Sequence, residues 1–128
     1  MKKRIAIFIS GRGSNMEAII KNAQTGNLKE YCEIVLVFAN HKEARGVQIA
    51  QEFGVQTAVI ESKGKPRTDF DREIVALLEP LQIDYIVLAG YMRIVSPVLI
   101  ERYRNRIINI HPALLPESPR KSSSVRCA

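Results

Sequence analysis

Asn109 and His111 stand two residues apart in Ile107-Ile108-Asn109-Ile110-His111-Pro112, where a short apolar run meets a proline. Side chains of an extended segment alternate between faces, so this spacing puts the two on one face and packs Ile108 and Ile110 on the other. Pro112 lacks a backbone donor and biases His111 away from helical geometry. An amide and an imidazole are thereby held side by side where a strand gives way to a loop. That pairing suits acyl transfer: the amide donates to a developing oxyanion and the imidazole moves a proton. A satisfied, buried histidine is the plainer alternative for the same letters, and the rest of the chain has to decide between them.

Gly11-Arg12-Gly13-Ser14-Asn15 has the design of an anion site. Glycines let a ligand approach the backbone, and the unpaired amides of a first helical turn point at a phosphate. The full dinucleotide fingerprint is not met. Its third glycine falls at Met16, and Asn40 stands where an acid for the ribose hydroxyls is expected. A phosphate monoester is therefore preferred to NAD, with a plain glycine turn as the simpler alternative. Gly90-Tyr91-Met92-Arg93-Ile94-Val95 is too apolar for an ordinary exposed loop. It is either a segment packed on the core or a wall for a flat, partly apolar ligand. Tyr91 fits packing better than proton transfer, and Asn40-His41-Lys42 fits a solvated turn.

The elements that must position these residues alternate along the chain. Continuous apolar runs at Arg4 to Ser10, Ile34 to Ala39, Tyr85 to Ala89 and Ile107 to Ile110, with a short one at Thr57 to Ile60, predict strands. Helices are expected from a Ser14/Glu17 capping box to about Gly26, over Glu43 to Phe53, over Phe70 to Leu81, and from Ser96-Pro97 to about Tyr103. Pro80 argues for an early stop of the third helix. Glu61 to Asp69 has the composition of a loop. The pattern is α/β: a Rossmann-like open parallel sheet of about five strands with helices on both faces. Ligands of such sheets sit at the carboxyl ends of the strands, where all the stretches above converge.

Composition narrows the class. The chain has 128 residues, 46% hydrophobic and 25% charged, as in one ordinary soluble domain. Cys32 and Cys127 lack the spacing of a metal or redox motif, so no metal is expected, and sparse cysteines fit a cytoplasmic protein. The apolar run after Met1 is too short for a secretory segment, and nothing approaches membrane-spanning length. The net charge of +6 is scattered, which argues against a nucleic-acid partner and suits a small anionic substrate.

Three motifs together resemble glycinamide ribonucleotide formyltransferases of purine biosynthesis: Ile9-Ser10-Gly11-Arg12-Gly13-Ser14-Asn15, Leu88-Ala89-Gly90-Tyr91-Met92-Arg93-Ile94, and Asn109-Ile110-His111-Pro112-Ala113-Leu114-Leu115-Pro116. The resemblance implies that Gly13, Ser14 and Asn15 hold the substrate phosphate. It implies that Arg67, Met92, Arg93, Ile94 and Val95 contact 10-formyltetrahydrofolate, the co-substrate. Asn109 would serve substrate and oxyanion, and His111 would be the acid/base group. The family's transfer is direct, from folate to the substrate amine, with no covalent enzyme intermediate.

The resemblance covers residues 1–116. Residues 117–128 depart from it and carry a serine run with no apolar periodicity, which predicts a coil tail. The family's aspartate partner for the histidine has no candidate after His111. The expectation is a truncated transferase, formyltransferase-like in fold and weak or absent in activity, whose fifth strand is an open edge prone to self-association. A hydrolase of formyltetrahydrofolate and a non-catalytic phosphate-binding remnant are the rival readings. Methionyl-tRNA formyltransferase is related, but its opening loop does not match Gly11 to Asn15.

Overall fold

A computed structural model describes residues 2–110 and the backbone of Val125–Cys127. Its elements are β1 (Lys3–Ile9), α1 (Ser14–Thr25), β2 (Cys32–Ala39), α2 (Arg45–Glu52), β3 (Thr57–Val59), α3 (Arg67–Leu78), β4 (Tyr85–Ala89), α4 (Pro97–Arg102), β5 (Ile107–Ile110) and β6 (Val125–Cys127). The sheet order is β3-β2-β1-β4-β5-β6. The first five strands are parallel, and β6 runs antiparallel beside β5. The expected α/β fold and its five parallel strands are therefore present.

Alternation within the strands builds two cores. Ala6, Phe8, Leu36, Phe38, Ile86, Leu88 and Ile107 face α3 and α4, against Phe70, Ile74, Leu78 and Leu99. Ile7, Ile9, Val37, Ala39, Val87 and Ala89 face the other way, against Met16 and Ile20 of α1 and Ala50 of α2. With apolar side chains on both faces, the central strands are stable only beneath two helical layers. The chain leaves β1 for β2 and β3 on one side, then returns to β4 and β5 on the other. The switch point lies between β1 and β4, where a crevice opens at the carboxyl ends.

Several boundaries differ from expectation for physical reasons. α1 is not capped by Ser14: its N-cap is Gly13, left-handed at φ 73°, and no side chain caps it. Ser14 is the first helical residue. α3 begins three residues before Phe70, at Arg67, because Pro66 in extended geometry launches it. It ends at Leu78, and a 3₁₀ turn over Glu79–Leu81 carries Pro80, as the missing amide requires. α4 begins as expected, with the Ser96 side chain accepting the Val98 amide.

The tail expectation is corrected in part. Val125–Cys127 is a strand, pairing Ile110 with Val125 and Ile108 with Cys127. Three residues are too few for alternation to register in sequence. β5 is consequently not an open edge over Ile108–Ile110. Among the described residues, no helix is long and apolar enough to cross a membrane.

Candidate active site

The glycine turn follows β1 directly. Gly13 holds a left-handed conformation, and a Cβ there would stand 3.0 Å from Met16 Cε and 3.3 Å from Gly46 Cα. Gly46, in the first turn of α2, was not singled out by sequence. Its amide donates to Gly11 O at 2.9 Å. A Cβ on it would meet Ile9 Cδ1 at 2.5 Å and the Arg12 carbonyl at 3.1 Å. α2 therefore presses on the turn and fixes its path. The first intrahelical bond of α1 is Glu17 N–H to Gly13 O, at 2.8 Å. The amides of Ser14, Asn15 and Met16 precede it and face the end of the helix, as an anion requires. Ser14 is exposed there, and Gly13 and Asn15 are half-buried.

The second wall follows β4. Gly90 turns the chain at φ 78°. Tyr91 then drops its ring onto Phe8, with centroids 5.3 Å apart. Met92 and Ile94 remain 81% and 67% exposed, so apolar surface faces outward on this loop. Arg67, Met92, Arg93 and Ile94 line one cleft of about 560 Å³, together with Asn40, His41, Ser62 and Lys65. Val95 is not among its lining: it packs against the core under α3 and α4. Arg93 is already engaged, donating to Ser62 O at 3.0 Å and Lys65 O at 2.7 Å. Its guanidinium also stands 4.7 Å over the Phe70 ring. Arg93 thus braces the cleft floor, and Arg67 and Lys65 carry the positive charge beside it. Lys65 is paired with Glu73 at 3.2 Å.

Asn109 lies opposite Leu88 in the β4–β5 register, half-buried near the carboxyl end of β5. Ile110 packs on the opposite core, as alternation demands. β4 alone separates β1 from β5, so these two strands run about 10 Å apart, with Asn109 level with Phe8 across Leu88, and the glycine turn leaves the same edge of the sheet. His111 lies outside the described residues.

Comparison with known proteins gives the family of the chain. Residues 3–119 match the formyl transferase family. The chain belongs to that family. It is 40% identical over 116 residues to phosphoribosylglycinamide formyltransferase of Escherichia coli K12, covering 90% of this chain and 54% of the relative. It is 39% identical to the human trifunctional purine biosynthetic protein adenosine-3, covering 90% of this chain and 11% of that protein. The crystal structure of phosphoribosylglycinamide formyltransferase from Brucella melitensis superposes with TM-score 0.82 at 44% identity, covering 93% of this chain and 62% of that one. The chain spans about half the length of the Escherichia coli relative and about a tenth of the trifunctional proteins.

In this member of the family Tyr91 is a packing residue. Burial, with the Asp71 carboxylate adding to it, pushes its phenol far above the ordinary range. Its hydroxyl is buried without a hydrogen-bond partner among the described residues. Asp71, itself buried, accepts the Ser96 amide at 2.7 Å and ties α3 to the start of α4. Asn40 and Ser62 are two further buried polar residues at the carboxyl edge. The strand-end position of Asn40 was legible in sequence, but the solvated turn expected over Asn40-His41-Lys42 is corrected at Asn40, which is buried; Ser62 was not marked. A lone polar residue at a strand end carries no signal until its partners from other loops are known.

Proposed function

We propose that this chain carries the phosphate-binding half and the folate wall of a phosphoribosylglycinamide formyltransferase. The reaction moves a formyl group from 10-formyltetrahydrofolate to the amine of glycinamide ribonucleotide, in cytoplasmic purine synthesis. The observation that carries this reading is convergence, in a formyl transferase, of the glycine turn and the Arg67–Met92–Ile94 cleft on one sheet edge.

The amides of Ser14 and Asn15, with the backbone freedom of Gly13, hold the substrate phosphate. Arg67 meets the acidic end of the folate, and Met92 and Ile94 cover its flat ring. Arg93 and Val95 serve the same ligand as brace and anchor of the wall. Asn109 donates to the oxyanion that develops as the amine adds to the formyl carbon. His111 takes the proton that the amine gives up and returns it to the folate nitrogen that leaves. Holding both substrates on one edge supplies proximity, a large share of such a rate.

Calorimetry with glycinamide ribonucleotide and, separately, with 10-formyltetrahydrofolate tests the reading itself. Binding of both supports the transferase. Binding of the ribonucleotide alone supports a second reading, a phosphate-binding module without catalysis, which the completeness of the glycine turn favours. Binding of neither defeats the proposal.

A further inference from the structure

One line of hydrogen bonds joins the four loops that follow β1, β2, β3 and β4 at the carboxyl edge. The Met92 amide donates to Ser10 Oγ at 2.7 Å. Ser10 Oγ donates to Asn40 Oδ1 at 2.7 Å, and Asn40 Nδ2 donates to Ser62 Oγ at 3.2 Å. The Ser62 amide donates to Asn40 O at 3.2 Å, and the Ser62 carbonyl accepts from Arg93 at 3.0 Å. Asn40 and Ser62 are only 3% and 4% exposed.

The line runs one way. The Met92 peptide N–H can only donate, so Ser10 accepts from it, and Ser10 gives its own proton to Asn40. Asn40 receives it on the carbonyl end of its amide, which turns the NH₂ end to Ser62. A carboxamide has one accepting and one donating end, and this position uses both. At one end of the line stands Met92, the most exposed apolar residue of the cleft wall. Asn40 sits where a dinucleotide fold uses an acid on ribose, yet its amide is consumed internally.

We propose that Asn40 is a positioning residue for the folate wall: through Ser10 it fixes the height of Met92 over the cleft. This rests on the folate assignment made above; Asn40 and Ser62 themselves line the cleft, so exchange at Met92 is what tells positioning from direct contact. Substrate phosphate held by the amides of Ser14 and Asn15 does not depend on the relay, so loss of Asn40 separates the two ligands.

The test uses the 128-residue chain and its N40A, N40D, S10A and N40A/S10A variants. Amide hydrogen exchange at Met92 is read by NMR, and calorimetry is run with tetrahydrofolate and with glycinamide ribonucleotide. N40A should speed Met92 exchange about five- to tenfold and weaken tetrahydrofolate by a similar factor, with ribonucleotide affinity unchanged. N40D keeps the acceptor for Ser10, and Ser62 can reverse to donate, so it should restore most of the protection. In the S10A background N40A should add nothing, because the path to Met92 is already cut. Unchanged Met92 exchange in N40A, additive effects in the double variant, or equal loss of both ligands would each overturn the proposal. Should N40A fail to fold, S10A must loosen Met92 and N40D must not. If the unaltered chain bound no tetrahydrofolate, the function proposed above would fall, and Met92 exchange would still uphold or overturn the relay.

Discussion

At the residue scale, backbone conformation and close approach explain Gly13 and Gly46, the two glycines that shape the turn after β1. Gly13 needs a positive φ, and alanine there costs about 1–2 kcal/mol from the left-handed backbone alone. Gly46 needs space: its missing Cβ is what lets α2 touch the turn. G46A is expected to lose about 1–3 kcal/mol in urea unfolding through overpacking, and to weaken ribonucleotide binding as the turn shifts. An unchanged unfolding midpoint would remove the close contact from the account. Tyr91 makes the opposite forecast. Its hydroxyl is buried without a partner among the described residues, so Y91F should leave stability level or raise it slightly. Its phenol titrates above the ordinary 10.0 in the fold. Below pH 10 both states are protonated and nothing changes. Above it the unfolded chain ionises first, so stability falls as pH rises. Y91F should blunt that alkaline loss in unfolding curves taken across pH 9 to 11, leaving the part due to Tyr103, whose phenol burial also raises.

At the element scale, the start of α4 decides how the cleft wall is anchored. Ser96 follows Val95 at once, caps α4 through Val98, and gives its own amide to buried Asp71. S96A should cost about 1 kcal/mol as a lost cap. D71A should cost more, about 1–3 kcal/mol, because it leaves the buried Ser96 amide unsatisfied. Chemical denaturation of both variants checks the order. The capping serine before Pro97 was legible in sequence, since both signals are local. The capping box at Ser14 misled, because a left-handed glycine already fills the N-cap. Arg93 was legible as part of the wall but not as its brace, since Ser62, Lys65 and Phe70 reach it from other elements.

At the scale of the whole molecule, the sheet's outer boundary is set by pairing between distant segments. β6 covers the outer row of β5 over Ile108–Ile110. Deleting residues 125–128 should expose that row, and sedimentation of the shortened chain should then detect association absent from the parent. Equal sedimentation of the two would show that this pairing does not guard the edge.

Apolar runs, glycine punctuation and three motifs were enough to specify a parallel α/β formyl transferase and the edge where its loops meet. Those signals are local: each strand announces its own burial, and each turn its own chemistry. What only the tertiary structure decided is which side chains remain open to a ligand. Val95 turned inward, Arg93 was taken up by carbonyls, and Asn40 became the centre of a relay. These outcomes depend on partners far away in sequence, Ser10 and Ser62 being 30 and 22 residues from Asn40. A hydrogen bond across such a separation leaves no periodicity in the chain to be read.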